Sequence, residues 1–152
     1  MSDSCITRRR GLGLISTLLV SGCVESKEEK VFIKKIEIRN YRNRDQKFQI
    51  QIFSERNEFV SETITLPGAG GGDATVESVS GEWGEKPHAY EVMVSTPNES
   101  ETITASYLLG ILDDSSYSGP PCLDLTFDAE RGGDLGFAFG GELNCGDSTD
   151  AR

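Results

Sequence analysis

The chain has 152 residues, 25 acidic against 15 basic side chains, a formal net charge of −10 and a single histidine. That balance excludes a nucleic-acid-binding role, because a phosphate backbone demands a basic footprint. One histidine and four cysteines are also too few for a blue-copper centre or a clustered zinc site, so no cofactor and no metal is expected.

Thr7-Arg8-Arg9-Arg10 leads into a short apolar run, Gly11 to Val20, and then Ser21-Gly22-Cys23. A positive start, an apolar run of about ten residues and small residues before a processing point make an export signal, assigned to 1–22. The run is well short of the ~20 apolar residues that span a bilayer. Leu19-Val20-Ser21-Gly22-Cys23 resembles a lipobox, in which Cys23 becomes the lipidated first residue of the mature protein. Arg8 and Arg9 resemble a twin-arginine signal; Gly11 stands where that signal carries a bulky residue, so the general secretion route stays open. Arg8, Arg9 and Cys23 together resemble the lipoprotein signals of salt-loving archaea. The resemblance implies a two-chain lipid on the Cys23 sulfur, which holds a protein stably where one chain does not.

Without Asp3, Arg8, Arg9 and Arg10, the mature chain keeps 24 acids against 12 bases, a formal net of −12. Such a surface suits concentrated salt, which screens its self-repulsion, and points to a halophilic source. The charge is uneven. Between Val24 and Arg56 nine bases face six acids, whereas from Asn57 onward three bases face eighteen acids. The early bases read as solvent-facing positions of two strands; the functional alternative is a basic edge beside the lipid anchor.

Residues 23–30 read as the lipidated cysteine and a short polar tether, 31–146 as one domain and 147–152 as a disordered tail. From Val31 the apolar positions alternate. Ile36 and Ile38, then Phe48, Ile50 and Ile52, predict an antiparallel pair joined by the polar turn Asn43-Arg44-Asp45. Val60 to Leu66 continues the pattern until Pro67, and Gly68 to Asp73 follows as a flexible hairpin loop. Further strands are predicted over Ala74–Val79, Ala89–Thr96, Thr102–Leu109, Cys122–Phe127 and Leu135–Phe139, with all five prolines between them. No helical stripe is evident beyond the signal. Seven or eight short strands at this spacing predict an all-β, antiparallel sandwich. Ile36-Glu37-Ile38-Arg39-Asn40-Tyr41 through Ile64-Thr65-Leu66-Pro67 resembles the opening of immunoglobulin-like domains in haloarchaeal surface lipoproteins. That resemblance implies a single immunoglobulin-like β-sandwich and brings no catalytic residues.

Cys122 and Cys145 are expected to pair in oxidising surroundings and to staple a C-terminal hairpin. Closing that loop constrains the unfolded chain by roughly 3 kcal/mol. Gly68 to Gly72 lacks the Gly-Lys-Ser/Thr and the helix of a phosphate cradle. Asp113-Asp114-Ser115-Ser116 and Asp124, Thr126 and Asp128 offer oxygen atoms but no EF-hand spacing. His88 follows Pro87 in a turn with no nucleophile elbow. Trp83, also in a turn, reads as a core cap or as a partner contact, and Tyr41 and Tyr117 share its loop character. Asn98-Glu99-Ser100 is an N-glycosylation triplet.

The function expected is that of a non-enzymatic binding or structural module, lipid-anchored at the extracytoplasmic face of the cell membrane and engaging a protein or glycan partner. The alternatives are an accessory subunit of a membrane complex and, third, a small hydrolase. Replacing Cys23 by serine is expected to move the exported protein out of the membrane fraction; its retention there would overturn lipid anchoring.

Overall fold

The computed structural model describes residues 29–112, 119–142 and Cys145. Eight strands form two four-stranded sheets: β1 (Phe32–Asn40), β4 (Thr75–Val79), β7 (Cys122–Ala129) and β8 (Leu135–Glu142) in the order β4-β1-β7-β8, and β2 (Gln46–Ser54), β3 (Asn57–Leu66), β5 (Tyr90–Ser95) and β6 (Ser100–Thr104) in the order β3-β2-β5-β6. The alternation of the sequence builds the core directly. Ile36 and Ile38 of β1 and Leu125 and Phe127 of β7 are fully buried, as are Phe48, Ile50 and Ile52 of β2 and Val92 and Val94 of β5. These two inner faces supply the apolar burial that holds a sandwich together.

From β1 to β6 the connectivity follows an immunoglobulin domain from its B strand through C, C′, E, F and G. Tyr90 supplies a second hallmark, the tyrosine corner at the start of the F strand. Its buried hydroxyl donates to the carbonyls of Trp83 and, at 3.1 Å, of Lys86. Burial pushes this phenol up to about 12, so the donor proton stays in place at any ordinary pH. Beside β1, where an A strand would lie, sits the hairpin β7–β8.

Two expectations from the sequence need correction. Ile36–Ile38 and Phe48–Ile52 do not form an antiparallel pair; β1 and β2 lie in opposite sheets, and the turn between them crosses from one sheet to the other. Alternation reports which face is buried but not which strand is the neighbour. The strand expected over Thr102–Leu109 ends at Thr104, and a short helix α1 (Ala105–Ile111) follows. Thr104 caps it, its hydroxyl accepting from the Tyr107 amide at 3.2 Å. That cap, and Leu108 buried three residues beyond Ala105, override the β-branched run before it. Because β6 delivers the chain to the end where β1 begins, β7 starts there too and pairs with β1 in parallel, from Phe32↔Cys122 to Asn40↔Ala129. Every other ladder is antiparallel.

A register shift in the β1–β7 ladder between Ile33 and Lys35 changes the phase of burial: Val31 and Ile33 are buried, then Ile36 and Ile38. Lys34 is the extra residue, and its ammonium reaches the Gly84 carbonyl at 3.3 Å. Gly84 lies in the 3₁₀ turn Glu82–Glu85, which packs so closely on β1 that a Cβ there would meet the Ile33 carbonyl oxygen at 2.6 Å. The C-terminal hairpin is closed by a Cys122–Cys145 bridge with Cα atoms 5.3 Å apart, as expected from the sequence.

The two-residue turn Glu55-Arg56 joins β2 to β3 with φ of 50° and 69°. Both are left-handed, as a type I′ hairpin requires, yet neither residue is glycine or asparagine. Replacing the pair by Asn-Gly is therefore expected to stabilise the fold by about 1 kcal/mol, measured as a shift of the denaturation midpoint at fixed salt; no gain would show that the turn is unstrained.

Candidate functional site

Nine residues of β1, at ~3.3 Å each, separate two ends of the sandwich by roughly 30 Å. At one end β1 begins and Val31 pairs with His88; the tether expected over 23–30 would join there. At the other end four connections meet: 41–45 between β1 and β2, 67–74 between β3 and β4, 96–99 between β5 and β6, and 130–134 between β7 and β8. In immunoglobulin terms the first and third are the B–C and F–G loops, two of those that form the recognition end of a variable domain.

These connections are held together by buried polar side chains. Asn40, fully buried at the end of β1, donates to the carbonyls of Arg44 (3.0 Å) and Pro67 (2.9 Å) and accepts from the Arg42 amide at 3.1 Å. Arg42 is almost as deeply buried. Its guanidinium donates to Gln46 Oε1 at 3.0 Å, to the carbonyls of Glu130 and Gly133 at 3.2 Å each, and to the Glu99 carboxylate in a close ion pair. The other Glu99 oxygen accepts from the Leu135 amide at 2.9 Å. One arginine thereby fixes three connections, and its own carbonyl takes the Ala69 amide of the fourth at 2.8 Å.

The glycine-rich segment is not a floppy hairpin loop. It joins strands of different sheets, and Asp45 and Asn43 accept from the amides of Gly68 (3.0 Å) and Gly71 (3.1 Å). Arg131 reaches across to donate to the Tyr41 carbonyl at 3.2 Å and the Gly72 carbonyl at 2.7 Å. A Cβ on Gly68 would lie 2.7 Å from the Arg44 nitrogen, so only glycine permits this approach.

Over the buried plug lies an open cleft of about 590 Å³. Arg42 and Glu99 form its floor, and Arg44, Arg131, Asn43, Asn98 and Asp134 stand around it. Asn98, the asparagine of the glycosylation triplet, is exposed on its rim, so a glycan there would stand at the mouth. The early bases do not make one edge beside the tether. Arg42 and Arg44 lie at the far end, while Lys35 and Arg39 flank Glu37 on the outer face of β1, at 3.4 and 2.5 Å.

The remaining sites predicted from sequence lie elsewhere. Trp83 is half-buried at the tether end, packed against the core and edge-on to Tyr90 with ring centroids 6.3 Å apart. Tyr41 is at the opposite end, so the two form no common patch. His88 Nδ1 is 3.4 Å from the Ser54 hydroxyl, and the ring packs against Phe59 and Tyr90 at 5.2 Å from each. Asp124, Thr126 and Asp128 fall on alternate positions of β7 facing outward. Burial pushes the Asp128 carboxyl up from its ordinary range, against the neighbouring Arg39. Among the described residues no group of three or more His, Cys, Asp or Glu converges as metal ligands would. Arg8, Arg9, Cys23, Asp113, Asp114 and Tyr117 lie outside the described residues.

No protein-family model matches the chain, and no curated protein matches it. The cleft therefore rests on its own geometry.

Burial pushes the Glu99 carboxyl up, but Arg42 and the Leu135 amide outweigh it and hold the group below its ordinary 4.5. A depressed carboxylate stabilises the fold above its unfolded value and loses that contribution as pH falls through its folded value. Unfolding measurements are expected to show a loss of stability below about pH 4.5 that is shallower in Glu99→Gln. Arg42→Met strands the Glu99 charge and two carbonyls, and is expected to cost about 3 kcal/mol at neutral pH. An unchanged midpoint in Arg42→Met would show that the plug does not hold the loops.

Proposed function

We propose that this protein is a lipid-anchored, extracytoplasmic binding module that presents its loop cleft to a partner at the cell surface. The observation that carries the reading is the placement of the cleft at the end of the sandwich opposite the tether. A chain held by Cys23 joins the fold at Val31, eight residues further on, and β1 then points the cleft away from the bilayer. Rigid loops on a β scaffold are where binding residues usually sit.

The tether end has a complementary character. Phe59, Tyr107 and Ile111 are each about half exposed (46%, 54% and 50%), and all three lie at that end, on β3 just after its turn and on α1. Exposed aromatic and aliphatic groups suit a surface that faces a membrane interface. The acidic domain itself is not drawn to anionic lipid head groups, so the covalent lipid is the attachment on this reading.

The test is photo-crosslinking in intact cells at native salt, with the crosslinking residue placed either at Asn43 on the cleft or at Glu82 on the tether end. Capture of a partner from position 43 is the expected result. Capture of a stoichiometric membrane protein from position 82 alone would overturn this reading in favour of an accessory subunit.

A further inference from the structure

Three arginines, Arg42, Arg44 and Arg131, line the cleft beside Glu99 and Asp134. Only three bases follow Asn57, against eighteen acids, and one of them, Arg131, lines the same cleft as Arg44. Arg42 below them is already neutralised by Glu99. Arg44 is exposed and, among the described residues, its side chain has no partner. Arg131 is different. Two of its guanidinium N–H groups are fixed on the Tyr41 and Gly72 carbonyls, which leaves the others oriented at little entropic cost on binding. Two guanidinium groups lining one cleft suit an anion that accepts planar, paired hydrogen bonds.

The rest of the rim narrows the ligand class. At about 590 Å³ the open cleft is far larger than one carboxylate. The other exposed side chains are the amides of Asn43 and Asn98 and the Asp134 carboxylate, a donor and acceptor set for hydroxyl groups. Among the described residues no aromatic or aliphatic side chain lines the cleft, which disfavours an apolar ligand. An acidic partner without hydroxyls would leave Asp134 and the amides of Asn43 and Asn98 without groups to bind.

We infer that the cleft binds an acidic sugar, its carboxylate held by Arg44 and Arg131 and its hydroxyls by Asn98 and Asp134. The inference rests on the reading of the cleft as a binding site and names its ligand class. It also makes glycan attachment at Asn98 a block on the site.

The experiment is a calorimetric titration of the folded protein at native salt with three probes: trigalacturonate, galactotriose and triglutamate. Trigalacturonate is expected to bind at least about tenfold tighter than either of the others, a difference of ~1.4 kcal/mol. Arg44→Gln is expected to abolish that preference while leaving the thermal midpoint unchanged, since among the described residues the Arg44 side chain holds no bond within the fold. Equal binding of trigalacturonate and galactotriose would overturn the role of the carboxylate, and tighter binding of triglutamate would overturn the sugar. Failure of trigalacturonate alongside crosslinking from Asn43 would remove this ligand class and leave the binding module standing; failure of both would remove the module as well.

Discussion

The loop end of this sandwich depends on a single buried cation. Arg42 leaves β1 just after its last strand residue and turns inward, where an unpartnered guanidinium would be prohibitively costly. The fold supplies it with Gln46, Glu99 and the carbonyls of Glu130 and Gly133. Those partners come from β2 and from two connections 57 to 91 residues away in sequence. Satisfying one charge therefore fixes connections that apolar packing alone leaves free. Asn40 beneath it does the same for the turn of β1–β2 and the chain after β3.

Buried ion pairs are rarely the cheapest source of stability, since apolar replacements of the same shape often do as well. The value of this one is specificity of arrangement. A hydrophobic plug would close the end of the sandwich but would not define where Gly68, Gly133 and Leu135 must lie. The polar one does, because each bond has a direction. The opposite end is built on another logic. There Tyr90 and the close approach of Gly84 to β1 fix a short 3₁₀ turn. One end is a rigid polar platform, and the other carries exposed Phe59, Tyr107 and Ile111 among charged side chains.

Much of the fold was legible in the sequence because a half-buried strand writes its burial every second residue. Ile36, Ile38, Phe48, Ile50 and Ile52 announced inner faces, and Cys122 and Cys145 announced the closed hairpin. What could not be read was partnership. The crossing from β1 to β2 needs the same short polar turn as a hairpin, and the parallel β1–β7 pair joins strands some ninety residues apart. The bulge at Lys34 leaves a trace, a doubled lysine that breaks the alternation, which carries meaning only once the register is known. Thr104 before Ala105 is a cap signal that the β-branched residues ahead of it obscured. The site was the least legible part. Arg42, Glu99 and Arg131 look like ordinary surface charges in the sequence, and nothing in their spacing brings them together.

The central claim, that one polar plug holds four connections as a rigid platform, is tested most directly by native-state hydrogen exchange at the salt concentration of the folded protein. The amides of Arg42, Ala69 and Leu135 each donate to Asn40, Arg42 or Glu99 of this network. The account predicts that Arg42, Ala69 and Leu135 exchange as slowly as the core amides of β2 and β5, opening only with the whole fold. Exchange of these amides at the rate of free loops, with β2 and β5 still protected, would contradict it.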